Sequence, residues 1–231
     1  MLMPIQLLEH IARKDPDLTE VNLSRPSFGW QISEIRKLAD ALQGNTHVKK
    51  LILSDCQLDD QAMQILVSIL PTTGITHLDL TDNKLTDKSA RALFEMPSLL
   101  SLRLGGNEIK GEALKIMPTN NTLRTLVLDG NPMTEKMLSY FLANHAVTTL
   151  ILDEDDMDAE LYQDIQKQIT ANALPYIQQA LARQLPTAFQ DIPVETLQKL
   201  QSQIVQAVQD YLHEQTRAHS TSFVPKQSGR A

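Results

Sequence analysis

The residues best equipped for chemistry in this chain are a run of carboxylates, one thiol and six imidazoles. The run Asp153-Glu154-Asp155-Asp156-Met157-Asp158 offers oxygen ligands to a hard cation. A calcium loop needs oxygens at alternating positions, a glycine for the turn and a distal bidentate Glu. This run has no glycine and Met157 interrupts it, so it reads as a solvated acidic turn. Cys56 is the one cysteine, which rules out an intrachain disulfide and any multi-thiolate metal site. A nucleophilic thiol needs a lowered pKa and access to solvent, and the pattern described below places Cys56 in a buried turn. The histidines at 10, 47, 77, 145, 213 and 219 show no metal-ligand spacing. There is no glycine-rich phosphate loop, serine elbow or kinase signature. The expectation is therefore a chain that is not an enzyme, with no catalytic residue, no metal and no cofactor.

Charge narrows the partners. The net charge is −7, which argues against nucleic acid, because phosphate backbones are bound by clustered Lys and Arg. The start, Met1-Leu2-Met3-Pro4, lacks the basic and apolar regions of a cleaved secretory signal. No apolar run approaches the ~18 residues of a membrane span. A soluble, cytoplasmic protein is expected, with export through a C-terminal signal left open.

What could position binding residues is a repeat. Segments beginning at Leu18, Val48, Ile75, Leu99, Leu123 and Val147 all carry an apolar residue, two others, an apolar residue, one other, then Leu. The steps between them are 30, 27, 24, 24 and 24 residues. Three residues after the last Leu stand Pro26, Cys56, Asn83, Asn107, Asn131 and Asp155; two further on stand Phe28, Leu58, Leu85, Ile109, Met133 and Met157. The alternation has the period of a short strand with one buried face. The Asn slot lies where the chain leaves the strand. Its amide both donates and accepts, so it can satisfy backbone groups buried in the turn. Cys56 offers only a weak S–H donor in that slot, and Pro26 and Asp155 make the first and last repeats atypical, as ends of a solenoid are.

Helical spacing follows the strands. Asp59–Leu70 carries Met63, Leu66, Val67 and Leu70; Asp87–Glu95 carries Ala90, Leu93 and Phe94; Thr134–Ala143 carries Met137, Leu138, Phe141 and Leu142. Gly111–Met117 is the shortest such stretch. Asn45, Asn120 and Asn144 end helical stretches, where Asn tolerates the left-handed conformation. The fold class is α/β: a horseshoe with six parallel strands on the concave face and helices on the convex face, and an all-α extension.

The outward positions on the strands then form the candidate site. On either side of the central apolar residue these are Glu20 and Asn22, Lys50 and Ile52, His77 and Asp79, Ser101 and Arg103, Thr125 and Val127, and Thr149 and Ile151. Asp79 and Arg103 fall on neighbouring strands and can pair. Ile52, Val127 and Ile151 put apolar groups toward water. The ten residues from Lys50 to Ile151 in this set are the expected partner-binding surface.

The frames Ile75–Leu85 and Leu99–Ile109 resemble the ribonuclease-inhibitor-like class of leucine-rich repeats, over residues 18–158. The 24-residue period, with Asn120–Asn131 reading NNTLRTLVLDGN, is similar to leucine-rich-repeat effectors translocated by intracellular bacterial pathogens. The first resemblance implies protein binding through the concave face. The second implies virulence, secretion into a host cytoplasm and a host protein as partner.

Four regions follow: a helical cap at 1–17, repeats at 18–158, a helical region at 159–218 and a polar, disordered tail at 219–231. Ile5–Lys14 reads as the capping helix. Pro175, Pro186 and Pro193 divide the helical region into helices near 159–173, 176–185 and 194–217. The last of these has an apolar stripe, Val194, Leu197, Leu200, Ile204, Val208 and Leu212, with Ala207 and Tyr211. It packs as a cap or self-associates. The expected function is protein recognition. The alternatives are an enzyme with ubiquitin-ligase-like activity in the C-terminal region, and an oligomerising scaffold.

Overall fold

A computed structural model describes residues 5–26, 29–153, 158–184, 199 and 203. Phe28, residues 154–157 of the acidic run, the apolar stripe of the 194–217 helix and the 219–231 tail lie outside the described residues. The chain divides into two compact units, Met1–Asn172 and Ala173–Ala231. The repeats occupy the first.

Six strands of three residues each form one parallel sheet in sequence order: β1 Glu20–Asn22, β2 Lys50–Ile52, β3 His77–Asp79, β4 Ser101–Arg103, β5 Thr125–Val127 and β6 Thr149–Ile151. The pairing is in register throughout, so Val21, Leu51, Leu78, Leu102, Leu126 and Leu150 form one row. All six are buried. They join the other repeat leucines in a single hydrophobic core.

The return segments are α2 (Ile32–Leu42), α3 (Asp60–Ile69) and α4 (Asp87–Phe94), then a 3₁₀ segment Glu112–Thr119, then α5 (Glu135–Leu138) running into a 3₁₀ segment Ser139–Ala143. They follow the N-terminal helix α1 (Ile5–Ala12). An α-helix rises ~1.5 Å per residue and a 3₁₀-helix ~2.0 Å, so eight 3₁₀ residues span ~16 Å, as ten or eleven α residues do. The last two 24-residue repeats use 3₁₀ segments, whereas the first of them keeps the α-helix α4. Helix α2 is the stretch expected to end at Asn45, whose start and apolar face were not assigned from the sequence; Ile35, Leu38, Ala39 and Leu42 are buried at helical spacing. It sits in the longest repeat and begins at Gln31, which is not a usual cap residue.

Helices are ~10 Å wide whereas parallel strands stack ~4.8 Å apart. The repeats therefore bend with the sheet on the inside, and the sheet face turned away from the helices is concave.

Two asparagine ladders hold the edges. In the first, Asn83 Nδ2 donates to the carbonyls of Leu53 and Leu80, and Oδ1 accepts from the N–H groups of Cys56 and Leu58. Asn107 repeats this with Leu80, Leu104 and Leu85, and Asn131 with Leu104, Leu128 and Ile109. The second ladder corrects an expectation. Asn120 and Asn144 do not adopt the left-handed conformation; their backbones are extended, with φ of −72° and −87°. Next to Asn45 it is Gly44 that takes the positive φ. The asparagines are free to face inward instead. Asn45 Nδ2 donates to Ile11 O, Asn120 to Phe94 O, and Asn144 to Met117 O. Their Oδ1 atoms accept from the backbone at the start of the next strand, as at Val48, Leu123 and Val147. Asn172, on α6 (Ala159–Gln184), closes the series on the carbonyls of Asn144 and Val147.

The helix starts are tied in the same way. The Asp60 carboxylate takes the Thr86 N–H and the Thr86 and Ser89 hydroxyls at the start of α4. Asp87 takes the N–H groups of Lys110 and Ala113 at the start of the next segment. Burial disfavours the Asp60 carboxylate, but these hydrogen bonds outweigh it and leave its pKa lowered. The stabilisation is then full above the unfolded-state pKa and is lost as pH falls through the folded one.

Helix α6 runs unbroken through Pro175, where a break between 173 and 176 was expected. Proline removes one donor and crowds one carbonyl, and the Ala, Leu and Gln around it favour helix strongly enough to continue. Ile165 and Ile169 are buried in the repeat core. Among the described residues no helix is long and apolar enough to cross a membrane.

Asn107→Ala strands several buried backbone groups at ~1–3 kcal/mol each. Its urea midpoint should fall by the equivalent of at least ~2 kcal/mol, against less than ~1 kcal/mol for Asn121→Ala on the exposed surface.

Candidate functional site

The outward strand positions stand in two columns on the concave face. One column runs Glu20, Lys50, His77, Ser101, Thr125, Thr149; the other runs Asn22, Ile52, Asp79, Arg103, Val127, Ile151. Glu20, Asn22, Lys50, His77 and Arg103 are exposed, and Ile52, Asp79, Ser101, Thr125, Thr149 and Ile151 are half-buried. Lys50 Nζ lies 3.3 Å from Glu20 Oε2. Arg103 Nε lies 3.5 Å from Asp79 Oδ2, the pairing expected from the register. His77 Nδ1 is 2.8 Å from the Thr76 hydroxyl. Val127 departs from expectation: it is only 3% exposed, yet it is not part of the repeat core. It lies in the outward column between Arg103 and Ile151. The apolar contribution to the face therefore comes mainly from Ile52 and Ile151.

A further set of side chains belongs to this face and was not among the expected site residues. Asp55, Asp82, Asp129 and Asp153 all leave the C-terminal ends of their strands, one or two residues past the third repeat apolar position. With Asp79 they make an acidic rim. Its geometry depends on two glycines. A Cβ at Gly106 would fall 2.2 Å from Asp82 Oδ1, and one at Gly105 would fall 2.6 Å from Asp129 Oδ1. The two carboxylates thus occupy notches that any side chain on β4's exit would fill. Gly106 also has a φ of +63°, as Arg25, Asp55, Asp82 and Gly130 do at the same slot of other repeats. The periodicity that revealed the leucines carries these acids in two adjacent columns, Asp55, Asp82, Gly106, Gly130 next to the Asn slot and Ser54, Thr81, Gly105, Asp129, Asp153 one residue earlier.

The rim is electrostatically strained. Burial raises the Asp129 carboxyl, and Asp153 and Asp82 add repulsion that its own backbone N–H and Arg103 only partly offset. Burial likewise raises Asp82, with Asp55 and Asp79 repelling it and Arg25 offsetting. Asp129 Oδ1 is shut off from solvent without a hydrogen-bond partner among the described residues. No group of three His, Cys, Asp or Glu residues with metal-holding geometry occurs among the described residues.

Cys56 sits in the asparagine slot, fully buried, with its Sγ directed at the Leu23 carbonyl at 3.4 Å. Burial pushes the thiol up to about 12. It is inert at neutral pH, because the thiolate is the reactive form.

The profile described as "Leucine Rich repeat" matches residues 44–66 and 75–94. The fold is a leucine-rich-repeat solenoid. Human leiomodin-2 is 31% identical over 126 residues, 50% of this chain and 23% of leiomodin-2. The human NACHT, LRR and PYD domains-containing protein 13 is 33% identical over 116 residues, 48% of this chain and 11% of its own. The chain thus spans under a quarter of the length of these relatives. Among solved structures, "Leiomodin-1 Actin-Binding Site 2 (ABS2)" superposes with a TM-score of 0.51 at 22% identity, over 79% of this chain and 97% of that one. The tropomodulin C-terminal domain of Caenorhabditis elegans gives 0.50 at 16%, over 77% and 97%.

The rim carries a pH signature. A carboxyl with a raised folded pKa penalises folding once ionised; the penalty is full above that pKa and gone below the unfolded value. Asp129→Asn should therefore raise the melting temperature at pH 7. The gain should shrink as pH falls toward the unfolded value of 3.8. A gain that is constant across that range would refute the repulsion.

Proposed function

We propose that the repeats are a protein-recognition module and that the partner docks on the concave sheet face. One observation carries this. Six strands present side chains of mixed chemistry in fixed register, with their backbone hydrogen bonds already made within the sheet, and no described element covers the face. Such a surface offers ion pairs, hydroxyls and isolated aliphatic groups at ~4.8 Å intervals, the composition of a specific but polar interface. The residues engaged are Lys50, Ile52, His77, Asp79, Ser101, Arg103, Thr125, Thr149 and Ile151, with Val127 as a filled floor between Arg103 and Ile151. Likeness to a leiomodin domain titled as an actin-binding site makes actin the first bait.

The reading that the partner is a host protein, reached by translocation, draws support from the even 24-residue repeats. Export through residues 219–231 belongs to that reading. Deleting them should then abolish delivery without lowering the repeats' melting temperature; unchanged delivery would refute it.

The docking face itself is tested by exchanging its central ion pair. Asp79→Lys with Arg103→Glu keeps the pair's attraction but inverts its polarity. In pull-downs with actin and with cell extract, the exchanged variant should lose the wild type's partner while melting within a few degrees of it. Retention of every partner would place binding elsewhere. A ubiquitin-transfer assay on the full chain separates this reading from a ligase.

A further inference from the structure

Past each strand, one backbone N–H is taken by the repeat ahead. Arg25 donates to the Ser54 carbonyl, Asp55 to Thr81, Asp82 to Gly105 and Gly106 to Asp129. Gly130, the next in this series, donates to a side chain instead, Asp153 Oδ2 at 2.6 Å. A carbonyl is fixed by the chain on both sides, whereas a carboxylate swings away by changing rotamer. The residue before Gly130 is Asp129, and this is the one Asp-Gly step in the chain; there is no Asn-Gly step. The amide nitrogen after an Asp can attack the side-chain carbonyl carbon, Cγ, and a following glycine leaves that nitrogen unhindered. Here the carboxyl is held elsewhere. Its Oδ1 lies 2.6 Å and its Cγ 3.4 Å from where a Cβ of Gly105 would stand. The two reacting groups are thus tied to different repeats, the carboxyl to the β4 exit and the nitrogen to the β6 exit.

We propose that Asp129–Gly130 is a latent isoaspartate site, kept closed by the Gly105 notch on one side and by the Asp153 carboxylate on the other. In the reaction Gly130 N bonds to Asp129 Cγ, and the amide hydrogen and the carboxyl hydroxyl depart together as water. The cyclic imide then takes up water. Cleavage at Cγ restores Asp129; cleavage at the backbone carbonyl leaves the chain running through Cβ and Cγ, which is isoaspartate. The steps need only water. The neutral carboxyl is the electrophile, and burial and the neighbouring acids keep more of Asp129 neutral than an ordinary carboxyl. Attack requires the two atoms ~3–3.5 Å apart and aligned, so the two ties govern the rate. The product inserts a methylene into the main chain directly after β5. There the Asp129 carbonyl accepts the Gly106 N–H at 2.8 Å, and that link between repeats would be lost.

The test ages the full chain at pH 6 and follows Asp129 by peptide mapping, where the isoaspartyl peptide separates at unchanged mass, and by labelling with an isoaspartyl methyltransferase. A synthetic peptide of residues 126–132 gives the unrestrained rate. The folded chain should isomerise at least about tenfold more slowly than the peptide. Asp153→Ala releases the Gly130 N–H, and Gly105→Ala pushes the Asp129 carboxyl out of its notch; each should quicken the chain by about threefold or more. Asp153→Asn keeps an oxygen acceptor and should age as the wild type does; slower ageing would make Asp153 a base rather than a tie and would overturn the proposal. Asn45→Ala loosens the array far from β5 and should stay within about twofold of wild type. All variants are compared where circular dichroism shows each to be folded. Acceleration by Asn45→Ala equal to that of the other two would mean that general loosening sets the rate, and the proposal falls. It falls as well if the chain ages as fast as the peptide, or if a folded Asp153→Ala or Gly105→Ala ages no faster than wild type. Should Gly105→Ala fail to fold, the two Asp153 variants decide.

Discussion

A strand of three residues cannot satisfy its own surroundings. Each repeat bends the chain twice within a few residues, and the bends lie against the core, where an unpaired N–H or C=O costs ~1–3 kcal/mol. The whole architecture turns on meeting that cost at both ends of every strand. Asn83, Asn107 and Asn131 do so at the C-terminal ends. Asn45, Asn120, Asn144 and Asn172 do so at the N-terminal ends. An amide suits the task because it donates through two N–H bonds while accepting through its oxygen. Aspartate would lack the donors, and an aliphatic residue would lack both.

The bonds also run between repeats. Asn107 Nδ2 reaches Leu80 O in the repeat before, and Asn131 reaches Leu104 O. Asp60 and Asp87 cap helical segments one repeat ahead. Each rung is therefore bound to its neighbours along three lines: the asparagines on each edge and the carboxylates on the helical side. This is the nearest-neighbour coupling that makes a repeat array fold as one unit. At residue 56 a thiol takes the slot and keeps the donor half of the role, with Cys56 Sγ 3.4 Å from Leu23 O.

Much of this was legible in the sequence because the leucines and the Asn slot recur at fixed intervals. Strand positions, register, the Asp79–Arg103 pairing and the role of Asn83, Asn107 and Asn131 all follow from that recurrence. What escaped was set by three-dimensional economy. Helix type changed to 3₁₀ in the two repeats after α4, which the apolar spacing alone does not distinguish from α. The terminal asparagines Asn120 and Asn144 were assigned a backbone role when their side chains were the useful part. Val127 was placed in water because alternation gives a side chain's direction and not its exposure. The rim acids went unnoticed because they are split between two neighbouring repeat columns that Gly105 and Gly106 each interrupt, although those glycines are what admit the carboxylates of Asp82 and Asp129.

A scaffold tied along three lines has little freedom to rearrange, so the spacing of its outward groups is imposed on whatever binds. That makes the local strain on the concave rim informative. Asp82 and Asp129 carry their charge at some cost to the fold. The asparagine slots next to them show that neutral amides fit easily in this part of the repeat. A scaffold that meets nearly every other buried polar group within the array leaves Asp129 Oδ1 unmet. Pre-organised, poorly compensated charge on rigid strands is the arrangement that gains most when a complementary group arrives, since little reorganisation is needed to receive it. The same rigidity that builds the core therefore fixes the spacing at which the concave face holds its charged and aliphatic groups.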